Sequence, residues 1–262
     1  MKATVETSSK DSASLSKDLL DFCRLGIIPG PDESKDAYFT RARLLTDTSA
    51  STYTDLKSFQ TKYNANLSWC TISESNQNLK LWEAGATWIE KDNVHIQLPK
   101  RKWLWKYMKK QMVINHELVH VMRMAYDEPI FEEIIAYRSA SSTLRRFFGP
   151  LLSKQYDVWI LLLSVFSGAV ADYCLESALL TPLSFCAPLC YFFLRLGYRQ
   201  LQIHGLKRTI KAAFPKEKFE RILVALKDAE IQEFAFAKPE AFAYYIKNGT
   251  NLRLQYLALL LF

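Results

Sequence analysis

Apolar and polar positions divide the chain into stretches of different character. Residues 1–17, MKATVETSSKDSASLSK, carry no sustained apolar pattern and lack the apolar core of a signal peptide, which predicts a disordered polar tail. From 18 to 65 the pattern is helical and then irregular, with IIPGPDES as a turn and a helix start near Asp32 or Ser34. Short strands are predicted over 66–73, 80–83, 87–90 and 94–98, the last two joined by a turn at Lys91, Asp92 and Asn93. A buried helix is predicted in MVINHELVHVMR, where Val113, Ile114, Leu118, Val119, Val121 and Met122 leave little polar face, and a second helix after Pro129 in DEPIFEEIIAYRSA. Two long apolar runs follow, 158–171 and 178–198. The second is long enough to cross a bilayer, and the first becomes so only if it extends through Cys174 or Leu175, since a span takes ~20 apolar residues. The remainder reads as helices, and its final apolar run, LQYLALLLF, is too short to span and belongs in the core.

The organisation expected is therefore a tail over 1–17, an N-terminal α+β part over 18–155, a two-helix transmembrane hairpin over 156–198 and a helical C-terminal subdomain over 199–262. Charge supports the hairpin. Among 34 basic and 27 acidic residues, Arg145, Arg146 and Lys154 precede the apolar runs and Arg195, Arg199, Lys207 and Arg208 follow them. The connecting loop holds only Asp172 and Glu176. The positive-inside rule then places both ends of the hairpin, and all that is attached to them, on the cytoplasmic side. The competing expectation is a pair of helices buried in a soluble protein. Just upstream, PKRKWLWKYMKK interleaves six basic residues with Trp103, Trp105 and Tyr107, a composition suited to an anionic membrane surface. No recognised nucleic-acid module accompanies it, so the expected partners are a lipid bilayer and not nucleic acid. The five cysteines, Cys23, Cys70, Cys174, Cys186 and Cys190, form no CxxC pair and read as reduced thiols, with Cys23 a small core residue.

The chemistry lies in HELVH. Residues four apart share a helix face, so His116 and His120 can direct their imidazoles at one ion, and Glu117, about 100° round the helix, can reach a water on it. A purely structural helix has little use for three such groups, because burying them unpartnered costs on the order of several kcal/mol. HExxH supplies only two ligands. A third from the metzincin pattern is excluded, since Arg123 and Tyr126 stand where that pattern needs Gly and His. Descending the first helix to Tyr126 and climbing the second from Pro129 brings a carboxylate back to the level of the histidines, at ~1.5 Å rise per residue. Glu132 and Glu133 compete for this place: Glu133 shares its face with Ala136, Tyr137 and Ala140, Glu132 with Glu128, Ile135 and Ser139.

HExxH followed on a second helix by ExxA resembles the gluzincin clan of zinc metallopeptidases. The resemblance covers residues 80–145. It implies Zn2+ as cofactor, His116, His120 and Glu133 as metal ligands, Glu117 as general base, and a peptide or protein substrate. It also implies a zincin-like catalytic domain whose edge strand holds the substrate, a role that falls to Val94, His95, Ile96, Gln97 and Leu98. Related members often carry Asp four residues after the ligand Glu, where this chain has Tyr137, and the interval between the two halves is short here. His204, Tyr244 and Tyr245 are candidates for stabilising the oxyanion. The fold class expected is thus α+β, with active-site and glutamate helices, a membrane hairpin and a helical C-terminal part. Two other functions stay open: a catalytically silent zinc-binding membrane scaffold, and a basic membrane or nucleic-acid binding protein whose HExxH is coincidental.

Overall fold

The computed structural model describes residues 3–47, 56–80, 83–90, 93–101, 103, 105 and 109–262. Much of the basic segment 99–110, the Lys91-Asp92 turn and the middle of the strand expected over 80–83 lie outside these residues. The fold is α+β, mostly helical with a small three-stranded sheet. The tail expected over 1–17 is instead helical from Ala3, within α1 (Ala3–Arg24). Helix α2 (Lys35–Asp47) starts where Ser34 Oγ accepts the amide of Ala37, as the turn chemistry predicts. Helix α3 (Lys57–Tyr63) leads into the sheet.

The sheet comprises β1 (Thr71–Glu74), β2 (Ala86–Ile89) and β3 (Val94–Leu98) in the order β1-β3-β2. Strand β1 is shorter than the 66–73 expected, and residues 66–70 form turns and irregular backbone. Strand β3 pairs in parallel with β1, Thr71 opposite His95, and antiparallel with β2, Trp88 opposite His95. Its backbone is therefore engaged on both sides. The expectation that 94–98 form the substrate-holding edge is corrected: among the described residues β3 is the central strand, and β2 is the edge strand next to the helix that carries HELVH. Val94, Ile96 and Leu98 are buried, while His95 stacks on Trp88 and Gln97 accepts from the Trp88 indole.

Helix α4 (Lys110–Met122) carries HELVH and packs on β2, β3 and α5 (Glu132–Tyr137). Helix α6 (Thr143–Phe148) and a 3-10 turn (Gly149–Leu152) lead to the two longest apolar helices, α7 (Gln155–Leu175) and α8 (Leu180–Ala213). Both are long and apolar enough to cross a membrane, and only 6% and 11% of their most apolar stretches is buried. That exposure is opposite to what core helices of a soluble protein would show. The pair closes tightly at Gly168, where an added Cβ would collide with Ser184 Oγ. Asp172 accepts the amides of Leu180 and Thr181, satisfying the start of α8 at the hairpin's tip. At the other end Arg195 forms two hydrogen bonds to the fully buried Asp157.

A boundary at 198/199 does not exist as a break. Helix α8 continues without interruption into the helical domain, where Gln202, Ile203, Leu206 and Ile210 are buried. Helices α9 (Phe219–Leu223), α10 (Asp228–Phe234), α11 (Pro239–Lys247) and α12 (Leu252–Leu261) complete it. The last buries Leu252, Leu254, Tyr256 and Leu257, the core placement expected of a run too short to span. Residues 224–228 close over the connection between α4 and α5. Tyr126 donates to Pro29 O and Ala225 O, and Asp228 accepts the amides of Ile130 and Phe131. Helix α5 accordingly starts at Glu132 rather than after Pro129. Its entry is held by a carboxylate from a distant part of the chain, not by the local Asp127 or Glu128.

Candidate metal centre

Helix α4 is largely buried; Gln111 and Asn115 lie toward Ser58 of α3, and the two histidines occupy a separate face. His116 and His120 stand one turn apart on that face, and α5 brings Glu133 opposite them. The donor atoms converge. His116 Nε2 lies 3.3 Å from His120 Nε2 and 3.4 Å from Glu133 Oε2, and His120 Nε2 lies 3.6 Å from Glu133 Oε1. All three ligand atoms fit within 4.8 Å of one another, so this group can hold a metal ion. Tetrahedral bonds of ~2.0–2.2 Å to zinc require ligand atoms to be about 3.3–3.6 Å apart, close to the separations seen. The ambiguity between the two glutamates is resolved by geometry: Glu133 faces both Nε2 atoms, and Glu132 does not.

Glu132 meets the other side of His120. Its Oε1 is 2.9 Å from His120 Nδ1, and its Oε2 accepts from Arg123 Nε at 2.6 Å. A carboxylate only accepts, so Nδ1 carries the proton and Nε2 is aimed at the cluster. Arg123 is fully buried and anchored by Nη1 to Val224 O and Leu226 O. Burial alone would lower the His120 pKa. The Glu132 bond and the charges of Glu133, Glu132 and Glu117 outweigh it and carry the value up to about 9. The same field favours a dication. For Glu133, burial works to raise the carboxyl, but hydrogen bonding to His116 and the two imidazoles hold it below the usual range.

Glu117 projects into the adjoining cleft of about 290 Å³, lined by Ala84, Gly85, Met112, His116, Tyr137 and Arg145 among others. It is nearly buried, and Thr87 Oγ1 on β2 donates to its Oε2 at 2.9 Å. Gly85 lets the lead-in to β2 lie directly on the helix, since a Cβ there would come within 2.8 Å of Val113 and 3.3 Å of Glu117 Oε1. The Tyr137 ring packs edge-on against His116 at 4.5 Å between centroids. Tyr137 thus supplies packing to His116, and the carboxylate of Glu132 meets the other histidine. Burial also raises the Tyr137 phenol, with Glu133 adding to the shift.

The remaining sequence candidates lie elsewhere. His95 sits in the sheet against Trp88, and His204 is exposed on α8 beside Arg138 and Lys207. Tyr245 donates to Glu230 and Tyr244 is exposed, both beside a different cavity. None of these lines the cleft. Cys23 is buried in the core, its thiol pushed up to about 12 by burial. Sequence reasoning missed Thr87, Arg123 and Arg145. Thr87 was readable only as a strand residue, and an Arg directly after HELVHVM was a signal that a buried carboxylate was near. No family model matches the chain, and neither a curated protein nor a solved structure is significantly similar to it.

Proposed function

We propose that the chain is a membrane-anchored zinc metallopeptidase of zincin-like architecture. The observation that carries this reading is the convergence of His116 Nε2, His120 Nε2 and the Glu133 carboxylate, whose Oε2 lies 3.4 Å from the first and whose Oε1 lies 3.6 Å from the second, beside a cleft that also presents Glu117. Three protein ligands leave a fourth position open, which is the pattern of catalytic rather than structural zinc sites. Zinc bound there supplies a Lewis acid for a scissile carbonyl and brings the pKa of water toward ~7.

The chain's own residues supply the rest. Glu117, held by Thr87, takes the proton of the attacking water and returns it to the leaving amine. Glu132 fixes the His120 ring, so the ligand does not reorient as charge develops. Among the described residues β2 pairs only with β3, so an extended peptide can add to its other side by strand pairing. Helices α7 and α8 anchor the domain in a bilayer, and the basic residues flanking them put the cleft on the cytoplasmic side.

The test is Glu117→Gln, which keeps size and polarity and removes only the base. Zinc content should stay at the wild-type level, while hydrolysis of a generic peptide pool, followed by mass spectrometry with a chelator-treated control, should fall at least about a hundredfold. Wild-type cleavage by Glu117→Gln would assign the activity to another group. Zinc binding without any turnover by the wild-type protein would favour a silent scaffold.

A further inference from the structure

One wall of the cleft comes from α6, the helix that precedes the apolar hairpin. Arg145 lines the cleft from α6, and Tyr137, another wall residue, packs so closely on Gly149 that a Cβ there would come within 2.2 Å of its ring. Helix α6 has no buried residue. Its Leu144, Phe147 and Phe148 are exposed at one-turn spacing with Arg145 and Arg146 beside them. The exposed apolar surface continues through Leu152 into Tyr156 and Trp159 on the first turns of α7.

Helix α6 is also fixed to the hairpin. Gln200, immediately below the apolar part of α8, donates to Arg146 O and Phe147 O, and Phe148 contacts Phe193 of the same helix at 6.2 Å between ring centroids. From Arg145 to Gln155 the chain path is no more than about 25 Å, taking ~1.5 Å per helical, ~2 Å per 3-10 and ~3.3 Å per extended residue. Exposed aromatics and leucine with interspersed arginine, set level with the ends of two spanning helices, suit the headgroup region of an anionic bilayer.

We infer that α6 lies on the bilayer surface and that the cleft therefore acts on juxtamembrane segments, polypeptide lying next to a substrate's own membrane anchor. This rests on the peptidase reading and adds the class of substrate. An extended chain covers about 25 Å in seven or eight residues at ~3.3 Å each, so about ten residues between anchor and scissile bond are enough to reach the cleft.

The experiment uses the full chain reconstituted in vesicles containing anionic phospholipid. One peptide is offered in solution and fused to a transmembrane helix through spacers of 3, 10 and 25 residues. The peptide on the 10-residue spacer should be cleaved at least tenfold faster than the free peptide and than the peptide on the 3-residue spacer, which extends only ~10 Å. Leu144→Glu, at a site 71% exposed and so able to take a charge without refolding, should remove that preference while leaving cleavage of the soluble peptide in detergent unchanged. Phe147→Glu should act in the same way. Cleavage of the soluble peptide with no dependence on spacer would overturn this inference and leave the peptidase standing. No cleavage in any format would overturn both.

Discussion

Glu132 and Glu133 are adjacent in the chain, yet they serve opposite sides of one histidine. The helical pattern separated their faces, and the small residues Ala136 and Ala140 on the Glu133 face were a legible reason for that face to approach α4. What the pattern could not show was the use of Glu132. Its role depends on Arg123, whose guanidinium is held by carbonyls of Val224 and Leu226 about a hundred residues away. Glu132→Ala should lower zinc affinity by roughly ten- to a hundredfold, the usual effect of losing an outer carboxylate on a ligand histidine. Competition with a chromophoric chelator measures it. An unchanged affinity would mean that packing alone orients the His120 ring.

Among the elements, those whose structure depends on neighbouring residues were the ones legible in advance: the HELVH helix, the hairpin helices and the start of α2. Those whose structure depends on distant partners were not. Strands 87–90 and 94–98 have similar patterns, and only the parallel partner β1 makes the second of them central and leaves the first at the edge. Helix α5 likewise starts late because Asp228, not a local residue, accepts the amides of Ile130 and Phe131. Asp228→Ala leaves two largely buried donors unpaired, at about 1–3 kcal/mol each. The variant should melt several degrees below wild type and lose zinc more readily, while Asp228→Asn, which keeps one acceptor, should be milder. Thermal unfolding of the zinc-loaded protein in detergent distinguishes them, and equal melting of all three forms would remove Asp228 from the support of the site.

For the whole molecule, one continuous helix links the apolar hairpin to the domain that supports the candidate metal centre. The apolar runs and their basic flanks announced the hairpin, with buried soluble helices as the competing expectation, and in the structure α7 and α8 are largely exposed rather than buried. Protein expressed in cells should sediment with membranes and resist both high salt and alkaline extraction, since hydrocarbon burial is not screened by ions. Release by salt alone would leave only a peripheral attachment through the basic surface. The central claim, that His116, His120 and Glu133 together hold a zinc ion, is tested most directly by elemental analysis of detergent-purified protein dialysed against a weak chelator. The account predicts one zinc per wild-type chain and almost none in Glu133→Ala, and equal zinc in the two would contradict it.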